Sequence, residues 1–142
     1  MADKSHSEEY LIVSQMMEND AFSQWMGVKI EEVKKGYCKI SCEITEEMLN
    51  GFKVTHGGII FSLADSALAF SAATYGRVSL AIDNSISIFK KTEAGDKITA
   101  VSQCLNLTHK TGVFEVNIYN SSDEMIAMMK ATVYRTSEEF KK

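Results

Sequence analysis

One stretch of the chain is apolar on every side. Residues 57–75 read GGIIFSLADSALAFSAATY; they are too long for a strand and rich in alanine and leucine, so they predict a helix. A helix that is apolar all round is enclosed by a protein core or a membrane. Its length approaches the ~20 residues of a membrane span, but Asp65 at its middle and the absence of basic flanks disfavour that reading. We therefore expect a central helix enclosed by protein.

The segments on both sides of this helix alternate between apolar and polar residues, which is the pattern of half-buried strands. Residues 28–33 and 37–44 precede the helix, and residues 80–90, 97–107, 112–118 and 125–133 follow it. The alternation within 97–107 is imperfect, which predicts a bulge. Short turns join the later strands and favour antiparallel pairing. Together these features predict an α+β fold in which a curved antiparallel sheet wraps around the long central helix.

A second helix is predicted at the N-terminal end, over residues 7–25. Ser5 and Glu8 have the spacing of a capping box, Asn19-Asp20 predicts a break, and Gly27 suits the C-terminal end. A chain of 142 residues has the length of one domain, 1–142. Residues 1–6 and 137–142 are expected to be loose termini.

Composition and missing motifs exclude several classes of function. The net charge of −4 offers no basic surface for nucleic acid. The cysteines, Cys38, Cys42 and Cys104, are odd in number and contain no CxxC pair, so we expect neither a disulfide framework nor a zinc site. Together with the absence of a signal-peptide pattern, this use of cysteine predicts reduced thiols in a cytoplasmic protein. No GxSxG elbow and no glycine-rich nucleotide loop occur, and we expect no cofactor and no metal.

The residues at and before the central helix carry the chemistry. An ionised carboxylate in an apolar core is costly, so Asp65 is either paired with a cation or used in function. His56-Gly57-Gly58 stand where that helix begins, and glycines there let a ligand approach the free backbone N–H groups. Such N–H groups suit an acyl oxyanion. His56 is either a general base or a capping residue.

The string MLNGFKVTHGGIIFSLADSALAF, residues 48–70, closely resembles the signature of hotdog thioesterases of the phenylacetic-acid-degradation type. The similarity extends over most of the chain, including Glu18-Asn19-Asp20 and Ala94-Gly95-Asp96. It implies a hotdog fold and the hydrolysis of an acyl-CoA, with an aryl-acyl (phenylacetyl-type) or medium-chain acyl group. It also implies a homodimer, often paired again into a homotetramer.

The resemblance assigns roles by position. Asp65 matches the catalytic carboxylate, as nucleophile or general base, and Gly57 matches the oxyanion donor. Asn50 and Asn19 match polar residues around the nucleophile and water. Ser66 and Gly58 are expected to support substrate binding. Lys90-Lys91 stands where relatives often have Arg-Pro.

We expect Lys90, Lys91 and Lys110 to meet the phosphates of CoA, since each lies near a predicted strand end or turn. The sequence leaves two alternative functions open. A hotdog dehydratase or hydratase would use His56 together with a carboxylate, and a non-catalytic domain would bind acyl-CoA without turnover. Neither a nucleic acid nor a membrane is an expected partner.

The spacing of the two main site residues predicts a shared site. Gly57 and Asp65 lie eight residues apart on one helix, a rise of ~12 Å. A nucleophile and its oxyanion donors must meet the same carbonyl within ~3 Å. One helix therefore cannot supply both to one thioester, whereas a two-fold dimer with adjacent central helices can.

Overall fold

A computed structural model of the chain describes residues 7–140. In chain order, the helices and strands are α1 (Glu8–Glu18), α2 (Ala21–Trp25), β1 (Lys29–Lys34), β2 (Tyr37–Glu43), α3 (Gly57–Ala73), β3 (Arg77–Ile88), β4 (Lys97–Leu107), β5 (Thr111–Tyr119) and β6 (Met125–Glu139). A short 3₁₀ turn, Glu46–Met48, precedes the loop that leads into α3.

The six strands form one antiparallel sheet in the order β1-β2-β4-β5-β6-β3, with α3 packed against its inner face. This confirms the predicted α+β architecture of a sheet around a central helix. The predicted bulge in β4 is present between Cys104 and Asn106. The apolar positions of the alternating segments face α3, where Phe70, Leu63, Phe114 and Met129 are fully buried. β1 and β3 are the two edge strands.

The predicted break in the N-terminal helix is also confirmed. Asn19 ends α1, and Asp20 caps α2 by accepting a hydrogen bond from the Ser23 N–H at 2.9 Å. Gly27 follows with φ of 72°, the left-handed geometry that glycine adopts without strain. The predicted start of the helix at residue 7 is confirmed, but the N-cap is Ser7 rather than Ser5, and Ser7 accepts from the Tyr10 N–H. Ser5 lies outside the described residues.

Three further predictions were wrong in detail. The strand predicted over residues 80–90 is β3, which begins earlier, at Arg77, and ends earlier, at Ile88. It ends there because the N–H groups of Phe89 and Lys90 both donate to the Ile126 carbonyl. The C-terminal tail is not loose from residue 137, because Glu139 still pairs with Arg77 across the sheet. Residues 1–6, 141 and 142 lie outside the description. The central helix is not buried all round, since one of its faces stays half-buried.

Candidate active site

Asp65 lies at the middle of α3, on the face that the sheet leaves uncovered. This face consists of half-buried side chains: Phe61, Ser62, Asp65, Ser66 and Ala69. Within residues 7–140, no hydrogen bond or ion pair reaches the Asp65 carboxylate. Burial raises its pKa above the ordinary value for an aspartate, and the negative charge of Asp20 raises it further. A partly desolvated carboxylate without a cationic partner is a typical functional group rather than a structural one.

The N-terminus of α3 keeps one backbone donor open. His56 is the N-cap, and its Nδ1 accepts a hydrogen bond from the Gly58 N–H at 2.9 Å. The His56 carbonyl accepts from the Ile59 N–H. The Gly57 N–H finds no acceptor in the part of the chain that the structure describes. A free N–H at a helix start is the kind of group that can stabilise an oxyanion, and the sequence predicts this role for Gly57.

The cap also bears on the role predicted for His56. Because its Nδ1 accepts from Gly58, the neutral ring carries its proton on Nε2. The imidazole is exposed, and nine residues, a helical rise of ~13.5 Å, separate His56 from Asp65. Of the two alternatives, the geometry favours capping over general-base chemistry.

The two glycines at this terminus are there for different reasons. A Cβ at Gly58 would lie 3.0 Å from His56 Nδ1, so a side chain there would crowd the cap. A Cβ at Gly57 would lie 3.5 Å from Ile88 Cδ1, which is an ordinary contact. The chain itself has room for a side chain at position 57. Close approach of a ligand to the backbone is a reason for glycine there that the fold alone does not supply.

Asn50 organises the loop in front of α3. Its Oδ1 accepts from the N–H groups of Phe52, at 2.9 Å, and Val54, at 3.4 Å. The loop is pinned at its end by Thr55, which bonds to Thr92 through both its N–H and its hydroxyl. Asn50 thus lies with Gly57 at the beginning of α3 rather than beside Asp65 of the same chain.

A second group of predicted residues does lie beside Asp65. Ser66 forms a 2.8 Å hydroxyl–hydroxyl bond with the buried Ser23 of α2. Ser23 is in turn bonded to the Asp20 carboxylate. Asn19 donates its Nδ2 to the Gln15 carbonyl and is exposed next to this cluster. Sequence reasoning proposed Asn19 and Ser66 as site residues and did not single out Asp20 and Ser23, which look like ordinary residues of a helix start.

The three predicted phosphate-binding lysines do not meet in one chain. Lys90 and Lys91 follow the end of β3, and Lys90 Nζ forms a 2.5 Å ion pair with Glu124. Lys110 lies near the start of β3, because its carbonyl accepts from the Arg135 N–H and the neighbouring His109 carbonyl accepts from Arg77. Twelve residues of strand, ~36 Å, separate these two ends.

Asn84 of β3 is a further polar residue that faces α3. It pairs in register with the buried Ala131, so both side chains point to the inner face of the sheet. Its Oδ1 is buried and has no partner among residues 7–140. Four residues of strand separate it from Ile88, which touches the Gly57 position, a distance of ~13 Å. Asn84 therefore lies about level with Asp65. Nothing in the strand alternation singled it out.

Comparison with known proteins gives the family. The family model described as thioesterase superfamily matches residues 52–127, more than half of the chain. The chain belongs to the thioesterase superfamily. It is 40% identical over 125 residues to a putative esterase of Archaeoglobus fulgidus, covering 88% of this chain and 81% of that one. It is 32% identical over 120 residues to the acyl-coenzyme A thioesterase PaaI of Escherichia coli, covering 84% and 86%.

The solved structure of the E. coli PaaI protein, from the phenylacetic acid degradation operon, superposes with a TM-score of 0.91. The two share 29% identity over 94% of this chain and 96% of that one. The hotdog fold and thioester hydrolysis expected from the sequence are thereby confirmed. This thioesterase is an enzyme. Within residues 7–140, no cluster of three potential metal ligands occurs, and no helix has the length and apolarity needed to cross a bilayer.

Proposed function

We propose that this thioesterase hydrolyses acyl-CoA thioesters and that Asp65 is its catalytic carboxylate. The observation that carries the proposal is the unpaired, half-buried state of this carboxylate, with a pKa raised by burial and by Asp20. The E. coli relative, at 32% identity, bears the name of an acyl-coenzyme A thioesterase. Similarity over most of both chains supports the same substrate class here.

The chemistry needs few groups, because a thiolate is a good leaving group. In one route Asp65 takes a proton from water, and the resulting hydroxide attacks the thioester carbon. The Gly57 N–H stabilises the oxyanion, the C–S bond breaks, and the thiolate takes up the proton. In the other route Asp65 attacks the carbon itself and the C–S bond breaks with release of the thiolate. Water then cleaves the anhydride, which frees the acid, restores the Asp65 carboxylate and supplies the proton that the thiolate takes up. Both routes yield a free acid and CoA.

The working unit in this proposal is a dimer. In one chain Asp65 and Gly57 are ~12 Å apart, so neither route can be completed with both from the same helix. The edge strand β3 supports the dimer, since it lies beside α3 and exposes Leu80, Ile82 and Ile88. Antiparallel pairing of β3 with the β3 of a second copy continues the sheet and sets the two α3 helices side by side. A further pairing into a tetramer follows from the family resemblance.

This arrangement also accounts for the separated lysines. In an antiparallel pair of β3 strands, the end of one strand and the start of the other lie on the same side of the two-fold axis. Lys90 and Lys91 of one copy then lie on the same side as Lys110 of the second, and the phosphates of CoA bind in the space between them. Arg77 and Arg135 add positive charge at the same end of the strand. The overall acidic charge of the chain makes such a local basic cluster necessary for an anionic ligand.

The acyl group in this proposal is aromatic or of medium length. The solved E. coli protein comes from a phenylacetic acid degradation operon, and Phe61 lies on the same open face of α3 as Asp65.

We place the reaction in the cytoplasm. All three cysteines are free thiols, and burial raises the pKa of Cys38 to about 12.

The test is release of thiol from aryl-, short- and medium-chain acyl-CoAs by the wild-type protein and by Asp65→Asn. The amide keeps the size of the side chain and removes the charge, so kcat is expected to fall by roughly 10²-fold or more. Ser62→Ala is a control on the same face, because the Ser62 hydroxyl only bonds back to the Gly58 carbonyl. Near-normal turnover by a folded Asp65→Asn protein would refute the role of Asp65. Tight binding of acyl-CoA by the wild type without any turnover would refute hydrolysis itself.

A further inference from the structure

A directed chain of hydrogen bonds joins α2 to α3 next to Asp65. Asp20 Oδ2 accepts from the Ser23 hydroxyl at 2.6 Å, and the Ser23 and Ser66 hydroxyls are 2.8 Å apart. A serine has one O–H to donate. Because Ser23 gives its proton to the carboxylate, Ser66 is the donor in the second bond. The chain therefore runs from Ser66 through Ser23 to Asp20.

Helix capping explains only part of this arrangement. A capping aspartate needs one oxygen, and here Oδ1 accepts from the Ser23 N–H at 2.9 Å. The second oxygen is used by the Ser23 hydroxyl, which is completely buried between α2 and α3. A buried hydroxyl costs free energy unless it is satisfied, and Ser66 supplies the other partner. The outcome is that α2 and its carboxylate are held in one position relative to α3.

We propose that Asp20 is a positioning residue for the thioesterase reaction, held by Ser23 and Ser66 so that its charge acts on the neighbouring carboxylate Asp65. This inference rests on the proposed function of Asp65. It adds a second carboxylate to the site, one that does not touch the substrate. Its role is to keep Asp65 a stronger base or nucleophile than an isolated aspartate.

The charges around Asp65 support this assignment. After burial, the charge of Asp20 is the further cause of the raised pKa of Asp65 within residues 7–140. On the β3 side, Asn84 and Ile86 face α3, whereas Asp83 pairs with Thr132 on the outer face. The core strands β2 and β4 present thiols, of which burial raises the pKa of Cys38 and Cys42. α1 adds no charge that shifts the pKa of Asp65.

The variant Asp20→Asn removes the charge and keeps the cap, because asparagine caps a helix about as well as aspartate. Its amide N–H then donates to the Ser23 hydroxyl, which donates in turn to Ser66, so the two helices stay connected. The matched control is Asp96→Asn. Asp96 also accepts from a backbone N–H three residues away, that of Glu93, but it lies in the turn before β4. Both variants lose one negative charge and keep a local turn bond. Only the first loses charge beside Asp65.

The direction in which the pH profile of Asp20→Asn moves follows from the pKa of Asp65. Asp65 acts in its ionised form, so the acid limb of the kcat/KM profile follows the Asp65 pKa. Removing the Asp20 charge lowers that pKa, and the acid limb moves to lower pH, while burial still keeps it above an ordinary aspartate. On the plateau kcat falls about tenfold or less, because Asp65 becomes a weaker base, and KM stays unchanged. Asp96→Asn leaves both the limb and the plateau in place.

A second measurement does not depend on turnover. Carboxyl ¹³C NMR with labelled aspartate follows the ionisation of Asp65 directly, with Asp65→Asn used to assign its signal. A lower Asp65 midpoint in Asp20→Asn than in the wild type supports the inference even if no acyl-CoA is hydrolysed. An unchanged midpoint in a folded Asp20→Asn protein overturns it, whether or not the protein proves to be an acyl-CoA hydrolase.

Discussion

The two edge strands of the sheet differ in length and in surface. β1 has six residues, KIEEVK, of which four are charged, and its pairing is shifted between Ile30 and Glu32. β3 has twelve residues and exposes large apolar side chains, with Ile82 61% exposed and Leu80 57%. Short, charged and bulged edges resist pairing with another chain, whereas long apolar edges invite it. The edge beside the candidate site is therefore the one suited to a second copy.

The edge strand suited to a second copy, β3, is also the one that lies beside the candidate active site. The end of β3 touches the Gly57 position through Ile88, and the middle of the strand passes level with Asp65. No predicted site residue lies on β1. A disturbance at β3 should change both the oligomeric state and the activity, whereas one on β1 should change neither.

The largest effect is expected from Ile82→Glu. A charge at this exposed edge position opposes strand pairing, so the protein should become monomeric and lose its activity by roughly 10²-fold or more, as when a catalytic group is removed. Light scattering and thiol release measure the two effects. Leu105→Glu is the control, because Leu105 of β4 is 55% exposed but lies on neither edge. A dimeric and active Ile82→Glu protein would show that β3 is not the interface.

An intermediate effect is expected when two inactive variants are combined. Asp65→Asn and Gly57→Leu are each expected to be inactive, and the second fits within one chain because position 57 has room for a Cβ. After co-expression, each heterodimer should regain one intact site of two, hence up to about half of the wild-type activity. Differently tagged subunits allow the heterodimer to be purified and assayed. Failure to recover activity in a proven heterodimer would contradict a shared site.

The smallest effect is expected from the lysines. Replacing Lys90, Lys91 and Lys110 together by alanine should raise KM for acyl-CoA by about threefold to tenfold and weaken its salt dependence, since exposed charges are screened by solvent. The matched control replaces Lys29, Lys34 and Lys35, which carry the same charge at the β1 edge. An equal KM in both triple variants would remove these three lysines from the CoA site.

Local sequence patterns were sufficient for most of the fold. Alternation located five of the six strands, because the spacing of apolar residues directly reflects which face of a strand is buried, and β1 matched the short strand candidate at residues 28–33. The break at Asn19-Asp20 and the glycine after α2 were equally local, since capping acts over three or four residues. Strand ends were less well predicted: β6 continues to Glu139 only because the distant Arg77 pairs with it.

For the candidate site, the sequence by itself singled out Asp65, as the lone charge on an apolar helix, and the glycines at the start of that helix. Both signals lie in a short stretch of the chain. Only the tertiary structure decided which face of the helix stays open, that Asp20 and Ser23 come to Ser66, and that Lys110 lies far from Lys90. Ser23 and Ser66 are 43 positions apart in the sequence, and the open helix face and the separation of the lysines involve elements from different parts of the chain. They depend on how the elements pack, and no local spacing encodes that.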